Sequence, residues 1–127
     1  MSGGRASRQK GNRTERAIVR MLQERGGLAA ERVPLSGAAR GRFGGDISVP
    51  LLGRDMRVEV KARGNGFRKI YAWLSTADLL VVRADRSEPL VVLPLRLALE
   101  IAREAEQARV LKQREAPPSD HRKFSAA

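Results

Sequence analysis

Two runs of strict alternation, residues 46–51 and 56–61, flank Leu52-Gly53-Arg54-Asp55 and constrain this chain more than any other feature. Successive side chains of a strand leave opposite faces of a sheet. Ile47 and Val49 therefore share one face and Asp46 and Ser48 the other. In the second run Met56, Val58 and Val60 oppose Arg57, Glu59 and Lys61. The intervening Gly and Asp suit a tight turn, so the two runs form a β-hairpin with one apolar and one polar face.

The remaining segments arrange themselves around that hairpin. Residues 12–26 carry a helical pattern: Asn12 is a good N-cap, Ile18, Met21 and Leu22 fall on one stripe, and Gly26-Gly27 is a stop. Residues 28–34 are a weaker strand candidate, and 36–45 form a loop rich in Gly and Arg. A second such loop, 62–69, leads to a short segment at 71–76. The apolar runs 78–83 and 90–94 have the composition of buried strands. Leu95, Leu99, Ala102 and Ala105 define an amphipathic helix over 95–111. The expected organisation is a flexible basic arm at 1–11, one domain over 12–111 and a disordered tail at 112–127 containing Pro117-Pro118. The expected class is α/β, with a central mixed β-sheet flanked by α-helices.

Composition removes several chemistries. The 127 residues contain no Cys and a single His, His121. Disulfides, thiolate zinc sites and cysteine nucleophiles are excluded, and a single His near the C-terminus argues strongly against Ser-His-Asp catalysis and histidine-rich metal clusters. The apolar stretch at 77–82 is broken by Asp78 and followed by Arg83, far short of the roughly 20 residues of a membrane-spanning helix. No apolar segment of the secretory kind follows the basic residues 1–10, so the expectation is a cytoplasmic protein with no membrane partner.

Charge is one-sided. The net charge is +11, and residues 1–69 hold 16 basic and 6 acidic side chains. A polyanion contacting this half is the natural partner, and Arg, which dominates the excess, suits bidentate phosphate contacts. Arg5, Arg8, Lys10, Arg13, Arg40, Arg42, Arg63, Arg68 and Lys69 are the candidate DNA contacts. The alternative is a solvated basic surface.

On the polar face of the hairpin stand Asp46, Glu59 and Lys61. Glu59 and Lys61 leave the same side of one strand with Cα atoms roughly 6.5 to 7 Å apart, and Asp46 lies opposite one of them and beside the other. Paired carboxylates on a sheet repel unless a cation separates them, and hard oxygen ligands suit Mg²⁺. A neighbouring Lys can position a water or stabilise the charge of a phosphodiester transition state. Spacing alone equally allows ordinary cross-strand ion pairs. Glu15 shares the helix stripe with Ile18 and Leu22 and could be aimed inward, or could form a capping-box pair with Asn12.

In order along the chain, Lys10-Gly11-Asn12-Arg13-Thr14-Glu15-Arg16, Ser36-Gly37, Gly45-Asp46-Ile47 and Val58-Glu59-Val60-Lys61 resemble the archaeal-type Holliday junction resolvases of the PD-(D/E)xK nuclease superfamily. The resemblance spans about residues 10–74; Gly45 stands where a proline often precedes the motif Asp. It implies a restriction-endonuclease-like fold, Mg²⁺ (with Mn²⁺ as a substitute) held by Asp46 and Glu59, catalytic roles for Lys61 and the loop residue Ser36, and metal or water positioning by Glu15. It also implies a homodimer that resolves four-way DNA junctions by paired nicks, with no small-molecule cofactor. Two other functions fit the residues: a PD-(D/E)xK nuclease acting on other DNA in nicking, repair or restriction, and a non-catalytic basic DNA-binding protein. Phe67, Tyr71 and Trp73 could stack on bases, but beside an apolar segment they are expected in the core.

Overall fold

A computed structural model describes residues 3–33 and 46–115, with side chains from Gln9 onward in the first segment. The chain runs α1 (Gly3–Glu24), β1 (Glu31–Arg32), β2 (Ile47–Leu51), β3 (Arg54–Val58), α2 (Arg68–Leu74), β4 (Leu80–Val82), β5 (Leu90–Val92) and α3 (Leu95–Glu115).

The hairpin forms as its alternation requires. Leu51 pairs with Arg54, leaving Leu52-Gly53 as a two-residue turn in which both residues have positive φ, 55° and 81°. Such a turn matches the twist of the flanking strands, and Gly53 carries the larger φ without a Cβ to clash. Register runs from Ile47↔Val58 to Leu51↔Arg54, and β1 adds to the other edge through Arg32↔Ile47. The result is an antiparallel sheet of order β1-β2-β3.

Ile47 and Val49 enter the core with Leu22 of α1, Leu28 and Ala30 of the following connection, and Leu99 of α3. Ile47 is wholly inaccessible. Both long helices thus close the apolar face of one small sheet. Burying each of these aliphatic side chains contributes about 1.5–3 kcal/mol, so six of them make a modest core.

Five expectations change. The first helix begins at Gly3, not at Asn12, so residues 3–11, read as a flexible arm, are helical; Thr14 Oγ1 donates to the Lys10 carbonyl at 2.9 Å within that helix. Among the described residues every strand pair is antiparallel, so the sheet is not mixed. β4 and β5 form a separate two-stranded sheet instead of buried central strands: Val81, Leu90 and Val91 are 57–62% exposed. Nothing in α2 is buried, and Tyr71 and Trp73 lie in solvent rather than in the core. The C-terminal helix extends to Glu115, past the predicted end at Leu111, and residues 116–127 of the predicted tail lie outside the described residues.

Candidate active site

The site is assembled where β2 begins and β3 ends. Asp46 and Glu59 each stand one residue outside the last pair of the ladder, Ile47↔Val58. Asp46 is half-buried, and its Oδ2 accepts the main-chain N–H of Val60 at 2.5 Å while its carbonyl accepts the N–H of Val33 at 3.1 Å. The residue therefore ties together the strand before it and the strand opposite. This fixes the side chain on the hairpin face the alternation assigns to it.

Glu59 and Lys61 sit just past β3, two residues apart, on the same polar face. Lys61 Nζ lies 3.1 Å from Glu59 Oε1, with side chains 57% and 63% exposed respectively. Such an exposed pair contributes little to stability, so both groups are available to a ligand at small conformational cost.

Glu15 has a different neighbourhood. Its Oε1 accepts Arg32 Nε at 3.1 Å, and Arg32 Nη2 donates to Asn12 Oδ1 at 2.9 Å. Three residues separate Asn12 from Glu15 on α1, so both point toward β1 and grip one guanidinium. The capping-box reading of this pair does not hold, because the helix starts well upstream and both side chains are turned to Arg32. Arg32 is the residue sequence reasoning missed. Its only local signal is an Arg inside a short strand candidate, and the partners that give it meaning are 17 and 20 residues away.

Among the described residues, no three acidic or histidine side chains converge tightly enough to cage a metal ion. Mg²⁺, however, commonly keeps most of its waters and is held by one or two carboxylates together with substrate phosphate. The pair Asp46 and Glu59 fits that pattern in donor type and number, with Glu15 held apart on Arg32.

Basic side chains line three clefts on α1 and on the segment after β3, none of which is lined by Asp46, Glu59 or Lys61 themselves. A cleft of about 420 Å³ is lined by Lys10 and Gly11 of α1 and by Val60, Ala62, Arg63 and Gly64, immediately around Lys61 in sequence. Arg13 and Arg16 line a second recess with Gln9 and Asn12 along the same helix. Arg63 and Arg68 flank a third at the start of α2, where Lys69 is exposed. Arg5 and Arg8 belong to α1, but their side chains are outside the described set, and Ser36, Arg40 and Arg42 lie outside the described residues altogether. A further cleft, about 540 Å³ between Gly26-Gly27 and α3, is at the far end of α1 from Lys10 and Asn12.

Carboxylates, a lysine ion-paired to one of them, and arginines are residue types that a metal-dependent phosphodiesterase draws on. Residues 6–116 match the family described as phage putative PDDEXK endonuclease, and the chain belongs to that family. It is thus a PD-(D/E)xK superfamily member, which implies nuclease activity on DNA. No curated protein and no solved structure matches the chain. Among the described residues, no helix is long and apolar enough to cross a membrane.

Proposed function

We propose that this chain is a Mg²⁺-dependent, structure-specific DNA endonuclease that cuts four-way junctions by paired nicks, with Asp46, Glu59 and Lys61 as its reactive centre. The observation that supports the reading is the hydrogen bond from Val60 N–H to Asp46 Oδ2, which ties Asp46 to the segment that carries the Glu59–Lys61 ion pair. Bound Mg²⁺ would supply Lewis acidity toward the phosphate and an acidified water, and Asp46 and Glu59 would hold it.

The chain's own residues have separable tasks. Asp46 spends one oxygen on Val60 N–H, which aims the carboxylate and leaves acceptor capacity for a ligand. Glu59 holds Lys61 Nζ, and this ammonium can donate to a water or to a phosphate oxygen as charge builds there. Lys10, Arg13, Arg63 and Arg68 would position the DNA backbone. Glu15 would act at one remove, through the Arg32 clamp that orients α1 on the sheet. Ser36, which precedes β2 in the chain and lies outside the described residues, would assist catalysis.

Paired symmetric cuts require two sites related by a two-fold axis, hence a homodimer. The β4–β5 hairpin supports this part of the reading. Val81 and Val91 face each other across the strands and are both exposed, and residues 70–115 carry seven basic and seven acidic side chains. A second copy could cover this neutral apolar face without charge repulsion. A PD-(D/E)xK nuclease with another DNA substrate remains the competing reading and shares the same reactive centre.

The test is incubation of the purified protein with a labelled immobile four-way junction and a linear duplex of the same sequences, with Mg²⁺ or EDTA. Paired symmetric nicks confined to the junction are expected. Equal cutting of both substrates would reject the junction reading and leave the general nuclease.

A further inference from the structure

Tyr71 is the most exposed large hydrophobic side chain of the described residues, at 74%, and it is an odd residue to leave in water. It projects from α2, a helix with no buried residue, and borders a cleft of about 160 Å³ with Arg63, Gly64, Asn65, Phe67 and Arg68. The cleft is held in shape. Arg68 Nη2 donates to Asn65 Oδ1 at 3.2 Å, Arg63 Nη1 donates to the Ala62 carbonyl at 2.9 Å, and a Cβ on Gly66 would stand 2.9 Å from Cβ of Arg63, so the loop closes tightly only because residue 66 is glycine.

The chemistry of the lining selects a ligand. Two aromatic rings, one half-buried and one open, flank two guanidinium groups, and no acidic side chain lines the recess. Exposed aromatics among arginines are the parts of a single-strand nucleic-acid platform: every base offers a π-face to the ring, and the cations take the phosphates. A duplex offers the same recess only phosphates and base edges, because its base faces are already stacked. The volume also suits one planar ring, since an engineered cavity of about 150 Å³ admits benzene. Arg63 and Gly64 line both this recess and the cleft formed with Lys10, Val60 and Ala62, so the two clefts adjoin and share one guanidinium.

We infer that Tyr71, with Phe67, Arg63 and Arg68, forms a stacking subsite for an unpaired nucleobase of the DNA strand being cut. This deepens the nuclease reading and rests on it. The subsite would favour a substrate with an opened or single-stranded segment over plain duplex, since only there is a base already unpaired.

The experiment measures binding, so that it stands apart from catalysis. The full chain carrying Asp46→Asn is titrated, in EDTA, into a single-stranded oligonucleotide containing one 2-aminopurine and into the matching duplex. Stacking predicts quenched 2-aminopurine emission with the single strand. Adding Tyr71→Ala should abolish the quench and weaken single-strand affinity about ten-fold, with duplex affinity within about two-fold of the parent. Tyr71→Phe should retain both quench and affinity, which excludes a loss through misfolding. Equal single-strand affinity for Tyr71→Ala and the parent, an equal loss on duplex, or absence of single-strand binding would each overturn the subsite. So would a Tyr71→Ala variant altered only in self-association, which would make the ring part of a protein interface. Failure of the wild-type protein to cut any DNA would instead count against the nuclease reading and leave these binding results unchanged.

Discussion

Asp46 and Val60 are joined by a hydrogen bond from the main-chain N–H of Val60 to Oδ2 of Asp46, 2.5 Å long, across the open end of the β2–β3 hairpin. One carboxylate thereby carries two duties, closing the sheet and presenting an acidic oxygen beside Glu59. The two duties separate by substitution. Asp46→Asn keeps an acceptor for Val60 and should change stability by less than about 1 kcal/mol, whereas Asp46→Ala leaves a half-buried N–H without its partner and should cost about 1–3 kcal/mol. Both should lose DNA cleavage. Thermal unfolding alongside a cleavage assay checks the split; equal stability of the two variants would remove the structural duty.

Arg32 should matter through geometry rather than through contact with DNA. Its guanidinium holds Asn12 and Glu15 on α1 against β1, with side-chain exposures of 34% for Arg32 and 20% for Glu15. Partial solvation discounts the pair, so Arg32→Ala is expected to cost about 1 kcal/mol, at the lower end for hydrogen bonds to charged groups. Glu15→Gln retains an acceptor for Arg32 and should fold as stably as the parent. If Glu15 also positions water or metal, the same variant loses activity with its melting temperature unchanged; a fall in both, or in neither, would confine Glu15 to the clamp.

Ile47 is the pivot of the small core. It is fully inaccessible and sits one residue from Asp46, between α1 and α3. Ile47→Ala should destabilise by about 2–5 kcal/mol, a large share of the stability of a domain this size. Denaturant titration would show the midpoint falling at nearly constant slope. A cost below about 1 kcal/mol would mean that the sheet and helices do not close on this residue.

The exposed β4–β5 hairpin gives a prediction about assembly. Val81→Asp places a charge on the cross-strand Val81–Val91 pair and touches no residue of the reactive centre. Light scattering should show a dimer for the parent and a monomer for the variant, with paired junction nicks replaced by single ones. A dimer unaffected by the substitution would move the interface elsewhere.

The hairpin and its polar face were legible in the sequence because a period of two leaves little freedom: a slip of one residue would expose Ile47 and Val49 and bury Asp46 and Glu59. The same parity puts Asp46, Glu59 and Lys61 on one face. The start of α1 was not legible, since residues 3–11 contain three glycines and no apolar stripe, and Asn12 imitates a cap. The Arg32 clamp joins segments far apart in the chain, which local pattern does not encode. The runs around Val81 and Val91 were read as buried because they are apolar, yet apolar composition says only that a strand needs a cover, not where the cover comes from. Ser36, Arg40 and Arg42, read as loop contributions to the site, lie outside the described residues.

The central claim is that Asp46, Glu59 and Lys61 form one metal-dependent cleaving centre, and metal-dependent nicking of DNA by the wild-type chain and by Glu59→Gln and Lys61→Ala tests it most directly. Glu59 and Lys61 are exposed and contribute little to folding, so both variants should keep the parent's melting temperature. Nicking should require Mg²⁺, stop with EDTA, and fall at least about 100-fold in each variant. Folded variants that cut as fast as the parent, or cutting that persists in EDTA, would contradict the account.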